Sequence, residues 1–202
     1  MRGIAIVGTG LCLGLAAMTD ARAADAAQPA QVRLPDPVVP GRQTLFSEIR
    51  IGGSAQEPGG PEEGSASLTG EILFSKPFTA ADLFTSYFIP RPHVGGSVNF
   101  RGDTSFAYAG LTWTYDLTSW LFIEGSFGGA VHTGNTEASL ARIPANEAAL
   151  GCSPLFRESG SVGVRLSTNW SVMATIEHMS NAGLCAQNRG LTNVGARVGY
   201  TF

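Results

Sequence analysis

Residues 193–202 read NVGARVGYTF, and their apolar side chains fall on every second position. Side chains of an extended chain alternate between two faces. Val194, Ala196, Val198, Tyr200 and Phe202 therefore share one face, while Asn193, Gly195, Arg197, Gly199 and Thr201 share the other. A strand that is apolar on one side and carries Gly, Arg and Thr on the other fits a wall between lipid and a polar lumen. The same parity on the preceding segment, 170–180, sends Trp170, Val172, Ala174 and Ile176 toward lipid, and with them His178 and Ser180. Polar groups that face lipid are costly and point to function.

The amino terminus fits export to the cell envelope. Arg2 is followed by an apolar run at 3–18 and then by Ala21-Arg22-Ala23, an A-x-A cleavage pattern, so residues 1–23 read as a signal peptide. Cys12 follows Leu11 and lies early in the apolar run, which argues against a lipoprotein. No second run of about 18 apolar residues exists, so no helical membrane span is expected in the mature chain. Residues 24–43, rich in Ala and Pro and without periodicity, read as a loosely ordered segment, and 44–202 as one domain.

Working back from the carboxyl end, strand candidates recur at 44–54, 67–75, 92–100, 104–116, 119–131, 155–166, 170–180 and 191–202. Eight is an even number and the minimum for an outer-membrane barrel, and the lengths are close to the roughly 9–11 residues a tilted strand needs to cross. The expected fold is all-β: an eight-stranded antiparallel outer-membrane β-barrel. Only 14% of residues are charged, Gly occurs 26 times, and no block of like charge appears, all of which suit a small barrel. A net charge of -3 offers no basic footprint, so nucleic acid is excluded as a partner. Glu48, Arg50, Glu71, Glu124, Arg165, Glu177 and Arg197 take inward positions. A barrel this narrow is filled by its own side chains, so these seven residues read as an ionic plug without chemistry.

Bacterial barrels keep their termini and short turns on the periplasmic side and their longer loops outside. The stretches 133–151 and 187–189 are then external, and 117–118 and 167–169 internal. Two links resist the pattern: 76–91 is periplasmic yet long, for which a short helix beginning at Thr79 offers an explanation, and 101–103 is external yet short. His178 stands nine residues above Asn169. At ~3.3 Å per residue and a tilt of about 40°, that is roughly 20–25 Å up a wall about 25 Å tall. His178 and Ser180 thus meet the outer leaflet near its headgroups, where the accessible esters belong to lipid A.

Glu177-His178-Met179-Ser180-Asn181-Ala182-Gly183-Leu184, followed by Asn188-Arg189-Gly190-Leu191, resembles the carboxyl-terminal signature of the lipid A 3-O-deacylase family. The resemblance covers about the last fifty residues. It implies an eight-stranded outer-membrane barrel whose lipid-facing Ser and His, helped by an acid, hydrolyse the ester-linked 3-hydroxyacyl chain at the 3-position of lipid A. Carried over residue by residue, Ser180 matches the nucleophile, His178 the general base and Asn181 an oxyanion-stabilising group. Residues i and i+2 of one strand share a face at a Cα spacing of about 6.5–7 Å, which an imidazole bridges to a hydroxyl.

One position departs from the family. Its Glu, twelve residues after the nucleophile, is Thr192 here. A hydroxyl holds a His tautomer but does not stabilise imidazolium as a carboxylate does. Hairpin register supplies another acid: Leu166 and Trp170 flank a turn and both face outward, and pairing them sets Glu158 opposite His178. Glu158 is therefore expected to orient and charge His178 from the neighbouring strand. Of the cysteines in the mature chain, Cys152 and Cys185 form an even pair in an oxidising compartment, which favours a disulfide over two unpaired thiols. The same register puts Cys152 opposite Leu184, next to Cys185.

His93 reads as a lumen hydrogen-bonder, and His132 lacks a neighbouring nucleophile. The three histidines lie far apart without ligand spacing, so neither a metal nor another cofactor is expected. Two functions fit the residues. One is a serine esterase acting on lipid A in the outer membrane, with a homodimer left open as its assembly state. The other is a non-catalytic barrel with a structural or surface-interaction role, which the acid missing at Thr192 favours.

Overall fold

The computed structural model describes residues 44–78 and 80–202; the expected signal peptide, the 24–43 segment and Thr79 lie outside the described residues. Eight strands form the barrel: β1 Phe46–Gln56, β2 Ser65–Phe74, β3 Arg91–Asn99, β4 Phe106–Asp116, β5 Leu121–His132, β6 Leu155–Arg165, β7 Trp170–Ser180 and β8 Leu191–Thr201. Each pairs antiparallel with its sequence neighbours, and β8 closes onto β1. Closure leaves no unpaired sheet edge in the bilayer, where an unmatched backbone amide would have no water to bond. The described residues form a closed eight-stranded antiparallel β-barrel.

Alternation fixes which residues meet lipid. On β7, Trp170, Val172, Ala174 and Ile176 face out while Ser171, Met173, Thr175, Glu177 and Met179 are buried; on β8, Val194, Ala196 and Val198 face out while Asn193 and Arg197 are buried. The lumen is solid. Four carboxylates, Glu48, Glu71, Glu124 and Glu177, meet four guanidiniums, Arg50, Arg91, Arg157 and Arg197. Arg50 reaches Glu48 at 2.8 Å, Glu124 at 2.8 Å and Glu71 at 3.1 Å, while Arg157 reaches Glu177 at 2.6 Å and lies over the Tyr108 ring. Equal numbers of opposite charge make burial tolerable, because an uncompensated charge here would be strongly destabilising.

Three arginines differ from the pattern read in the sequence, the first being Arg91, which joins the network through Glu48 and Glu124. Arg157 shares the inward parity of Arg165 and joins the network, whereas Arg165 sits half-exposed at the rim and pairs with Asp116 at 2.6 Å. His93 takes the place read for it, buried in the lumen with its Nδ1 2.9 Å from the Thr112 hydroxyl.

The end away from the termini is closed by apolar packing. Phe106, Tyr108, Ala130, Leu155, Met179 and Leu191 from the strands meet Ala148 and Leu150 from the 133–154 loop. The short external link at 100–105 is tied into this roof. Thr104 donates its N–H and its hydroxyl to buried Glu62 at 3.1 and 2.7 Å, and Glu62 also accepts from the Ala148 N–H at 3.1 Å. One carboxylate thus fastens three external loops.

The long link between β2 and β3 lies at the end that carries the termini and contains α1, Leu83–Phe88. The described helix begins at Leu83, and Thr79, where the sequence reading began it, lies outside the described residues. Asp82 is the N-cap of the helix, accepting the Thr85 N–H at 2.8 Å and the Thr85 hydroxyl at 2.9 Å. These two hydrogen bonds hold the Asp82 carboxyl below its ordinary pKa.

Candidate active site

Strand pairing delivers three side chains to one outward patch at the external end of β7 and β8. His178 stands opposite Thr192 on β8 and opposite Glu158 on β6, and Ser180 stands opposite Phe156. His178, Ser180 and Thr192 are half-buried and Glu158 is exposed. The His178 Nδ1 is 2.8 Å from the Thr192 hydroxyl. That bond occupies one ring nitrogen and leaves Nε2 directed elsewhere. A hydroxyl both donates and accepts, so this contact fixes the position of the ring and is compatible with the tautomer in which Nδ1 carries the proton and Nε2 a lone pair.

Glu158 occupies the register position expected for it, yet among the described residues no hydrogen bond or ion pair joins it to His178. The orienting contact is therefore made by Thr192. Its hydroxyl lies within reach of Nδ1, whereas the exposed Glu158 makes no polar contact with the ring.

Asn181 also departs from its expected role. It is 2% exposed, and its Nδ2 donates to the Leu150 carbonyl at 2.9 Å and to the Gln187 carbonyl at 2.6 Å, while Oδ1 accepts the Gly183 N–H at 2.9 Å. Both amide hydrogens are spent on backbone, so neither is left for an oxyanion. Asn181 braces the loop instead. Its own N–H donates to Asn188 Oδ1 at 2.8 Å, which pins the Asn188 carboxamide beside the residue following Ser180. Asn188 is exposed, and its Nδ2 has no partner among the described residues.

Gly190 limits the imidazole from another side. Its φ is +75°, a left-handed conformation that glycine adopts without steric cost. A Cβ placed on it would lie 2.7 Å from His178 Cε1, 3.0 Å from Nε2 and 2.9 Å from the Met179 carbonyl oxygen. The backbone at 190 thus forms a stop against the ring. Arg189 anchors this turn, its N–H donating to the Ala149 carbonyl at 3.1 Å and its Nε pairing with Glu57 at 3.2 Å.

Cys152 and Cys185 form a disulfide with Cα atoms 6.1 Å apart, joining the 133–154 loop to the loop that follows Ser180. His132 belongs to this same support, its Nε2 2.8 Å from the Cys152 carbonyl. Among the described residues no group of three or more His, Cys, Asp or Glu is placed to hold a metal ion. Asn188 and Gly190 are residues to which the sequence reading gave no role of their own. Both lie in the Asn188-Arg189-Gly190-Leu191 stretch, but their contacts arise from the path of a loop.

The sequence model of the family described as lipid A 3-O-deacylase (PagL) matches residues 93–201, just over half of the chain. No curated protein matches it. Among solved structures, the crystal structure of the outer membrane enzyme PagL is similar with a TM-score of 0.57 and 18% identity, covering 77% of this chain and all of that one. A de novo designed transmembrane β-barrel follows at a TM-score of 0.48 and 13% identity, covering 80% of this chain and 98% of that one. The Yersinia pestis outer membrane protein Ail gives 0.42 and 10%, covering 77% and 99%.

Proposed function

The chain belongs to the lipid A 3-O-deacylase family, and on that premise we propose that it is an outer-membrane serine esterase that removes the ester-linked 3-hydroxyacyl chain from lipid A, with Ser180 as nucleophile and His178 as base. The observation that carries this reading is the outward, external-end position of His178 with its Nδ1 held by Thr192. A base facing the lumen would meet only the barrel's own packing. This one faces the leaflet in which lipid A resides.

The steps follow from the groups at hand. Nε2 of His178 takes the Ser180 hydroxyl proton as Oγ attacks the ester carbonyl carbon. The carbonyl oxygen becomes an oxyanion, and Asn188 Nδ2 is the donor assigned to it, because Asn181 has no free hydrogen. Collapse breaks the bond to the sugar oxygen, which leaves with the proton held on Nε2. The acyl chain stays on Ser180 until water, deprotonated by the same nitrogen, releases it as a 3-hydroxy fatty acid. Thr192 holds the ring by Nδ1 through both halves, and Glu158 contributes its charge from across the strand pair without contact.

The threonine at the acid position favours a second reading, a barrel that has kept the fold and lost the chemistry. Mass spectrometry of lipid A from cells making the protein separates the two. Loss of one hydroxyacyl mass, abolished by Ser180→Ala, is the expected result. An unchanged spectrum from protein that shows the heat-dependent gel shift of a folded barrel would leave the non-catalytic reading.

A further inference from the structure

The exposed aromatic side chains of the link between β2 and β3 are not accounted for by catalysis. Phe78 is 73% exposed, Phe84 73% and Phe88 59%, and the Phe84 and Phe88 rings touch edge to face with centroids 5.1 Å apart. Phe84 and Phe88 presented together in this way make an apolar patch that water disfavours.

The helix that carries two of them does not stand free. Tyr87 packs on Tyr115 of β4 with ring centroids 5.5 Å apart, and Trp113 of β4 donates its indole N–H to the Phe88 carbonyl at 3.3 Å. Trp113 and Tyr115 share the outward parity of Ala107, Ala109 and Leu111, so α1 is fastened to the bilayer-facing side of the wall. On its opposite side, Ser86 is buried at the lumen rim and accepts from the Lys76 ammonium at its carbonyl and, at 2.8 Å, at its hydroxyl. Both attachments leave Phe84 and Phe88 pointing away from the barrel.

The level of this attachment is also fixed. Phe46, Phe74, Trp120, Trp170, Tyr200 and Phe202 lie around the same rim, with Phe46 on Phe74 at 5.4 Å and Trp170 on Tyr200 at 4.9 Å. Aromatic girdles of this kind mark the interface between headgroups and acyl chains. Within 77–90 the only charged residue is Asp82, which caps the helix. The patch therefore offers apolar surface without charges to pair with a protein or a headgroup.

We propose that α1 is an in-plane anchor whose occupant is phospholipid of the inner leaflet, with Phe84 and Phe88 inserted at the boundary of headgroups and acyl chains. The patch continues the bilayer-facing wall outward at the aromatic girdle, as amphipathic helices lying in an interface do. A long link at the end where barrels use short turns is then a lipid-binding element. The inference is independent of the catalytic reading.

Photo-crosslinking tests it in the full chain. The photoreactive residue p-benzoylphenylalanine replaces Phe84 or Phe88 in separate variants, Val172 on the outward wall as a lipid-facing reference, and Thr168 in the exposed turn between β6 and β7 as an aqueous reference. Each variant that shows the gel shift of a folded barrel is irradiated in vesicles of phosphatidylethanolamine and phosphatidylglycerol. The expected result is phospholipid adducts at positions 84 and 88 at a yield similar to position 172 and at least several-fold above position 168. Yields at both helix positions no higher than at 168 would overturn the proposal, as would adducts with the mass of a second copy of the chain. Repeating the experiment in cells adds a further outcome: crosslinking of position 84 chiefly to another protein would replace phospholipid as the occupant.

Discussion

Replacing Gly190 with Ala should disable the site while sparing the barrel. The added methyl would stand 2.7 Å from His178 Cε1 and 3.0 Å from Nε2, whereas carbon atoms in contact prefer about 3.5–4.0 Å. The ring must therefore retreat by close to 1 Å or rotate about its bond to Thr192. The backbone cannot withdraw instead without moving the turn held by Ala149 and Glu57. A misplacement of about 1 Å at a reacting group costs roughly 10²-fold in rate, or about 2.7 kcal/mol of barrier. The φ of +75° adds a folding cost of about 1–2 kcal/mol for a residue with a Cβ. Turnover is measured by mass spectrometry of lipid A in mixed micelles, with the gel shift as the check of folding. The expected outcome is a kcat lowered about 10²-fold with KM little changed, because the methyl meets the base and not the lipid. A folded Gly190→Ala protein with wild-type kcat would refute the role given to this backbone.

Other expectations concern the neighbours of the base. Thr192→Glu restores a carboxylate where the hydroxyl now meets Nδ1 and should raise kcat at least about tenfold; no gain in a folded variant would argue that the charge is already supplied elsewhere. Thr192→Val should cost more turnover than Glu158→Gln, since only Thr192 touches the ring, and the opposite ranking would return the orienting role to Glu158. Asn188→Ala should lower kcat about 10²–10³-fold if its free amide serves the oxyanion, whereas an unchanged kcat would assign that donor to backbone. Asn181→Ala leaves the Leu150 and Gln187 carbonyls without their donor and should cost about 1–3 kcal/mol for each buried group, read as a lower midpoint in denaturant unfolding. Unaltered stability would remove Asn181 from the loop's support.

Parity and register were legible in the sequence because a strand has few degrees of freedom. Once Val194, Ala196 and Val198 face lipid, the direction of every side chain on β8 follows, and the turn between Leu166 and Trp170 sets the pairing of Glu158 with His178. Contacts made by loops obey no such rule. The donors of Asn181 end on carbonyls at 150 and 187, and one of these belongs to a loop roughly thirty residues away in sequence. The exposed direction of Glu158 was likewise hidden, because register fixes Cα neighbours and leaves a flexible side chain free to seek water. Arg157 and Arg165 share a parity, yet only depth along the strand separates the buried partner of Glu177 from the rim partner of Asp116. The start of α1 at Leu83 was set by the capping geometry of Asp82, which competes with other polar residues in the link.

In the proposed site His178 and Ser180 share the outward face of β7, and encounter with substrate is then a two-dimensional problem. Lipid molecules reach the wall by lateral diffusion within their own leaflet, and none has to be lifted into water. The rate should then track the mole fraction of lipid A in that leaflet and ignore its bulk molarity. Diluting mixed micelles with buffer at fixed composition should leave turnover per enzyme constant, while adding inert detergent at fixed volume should slow it.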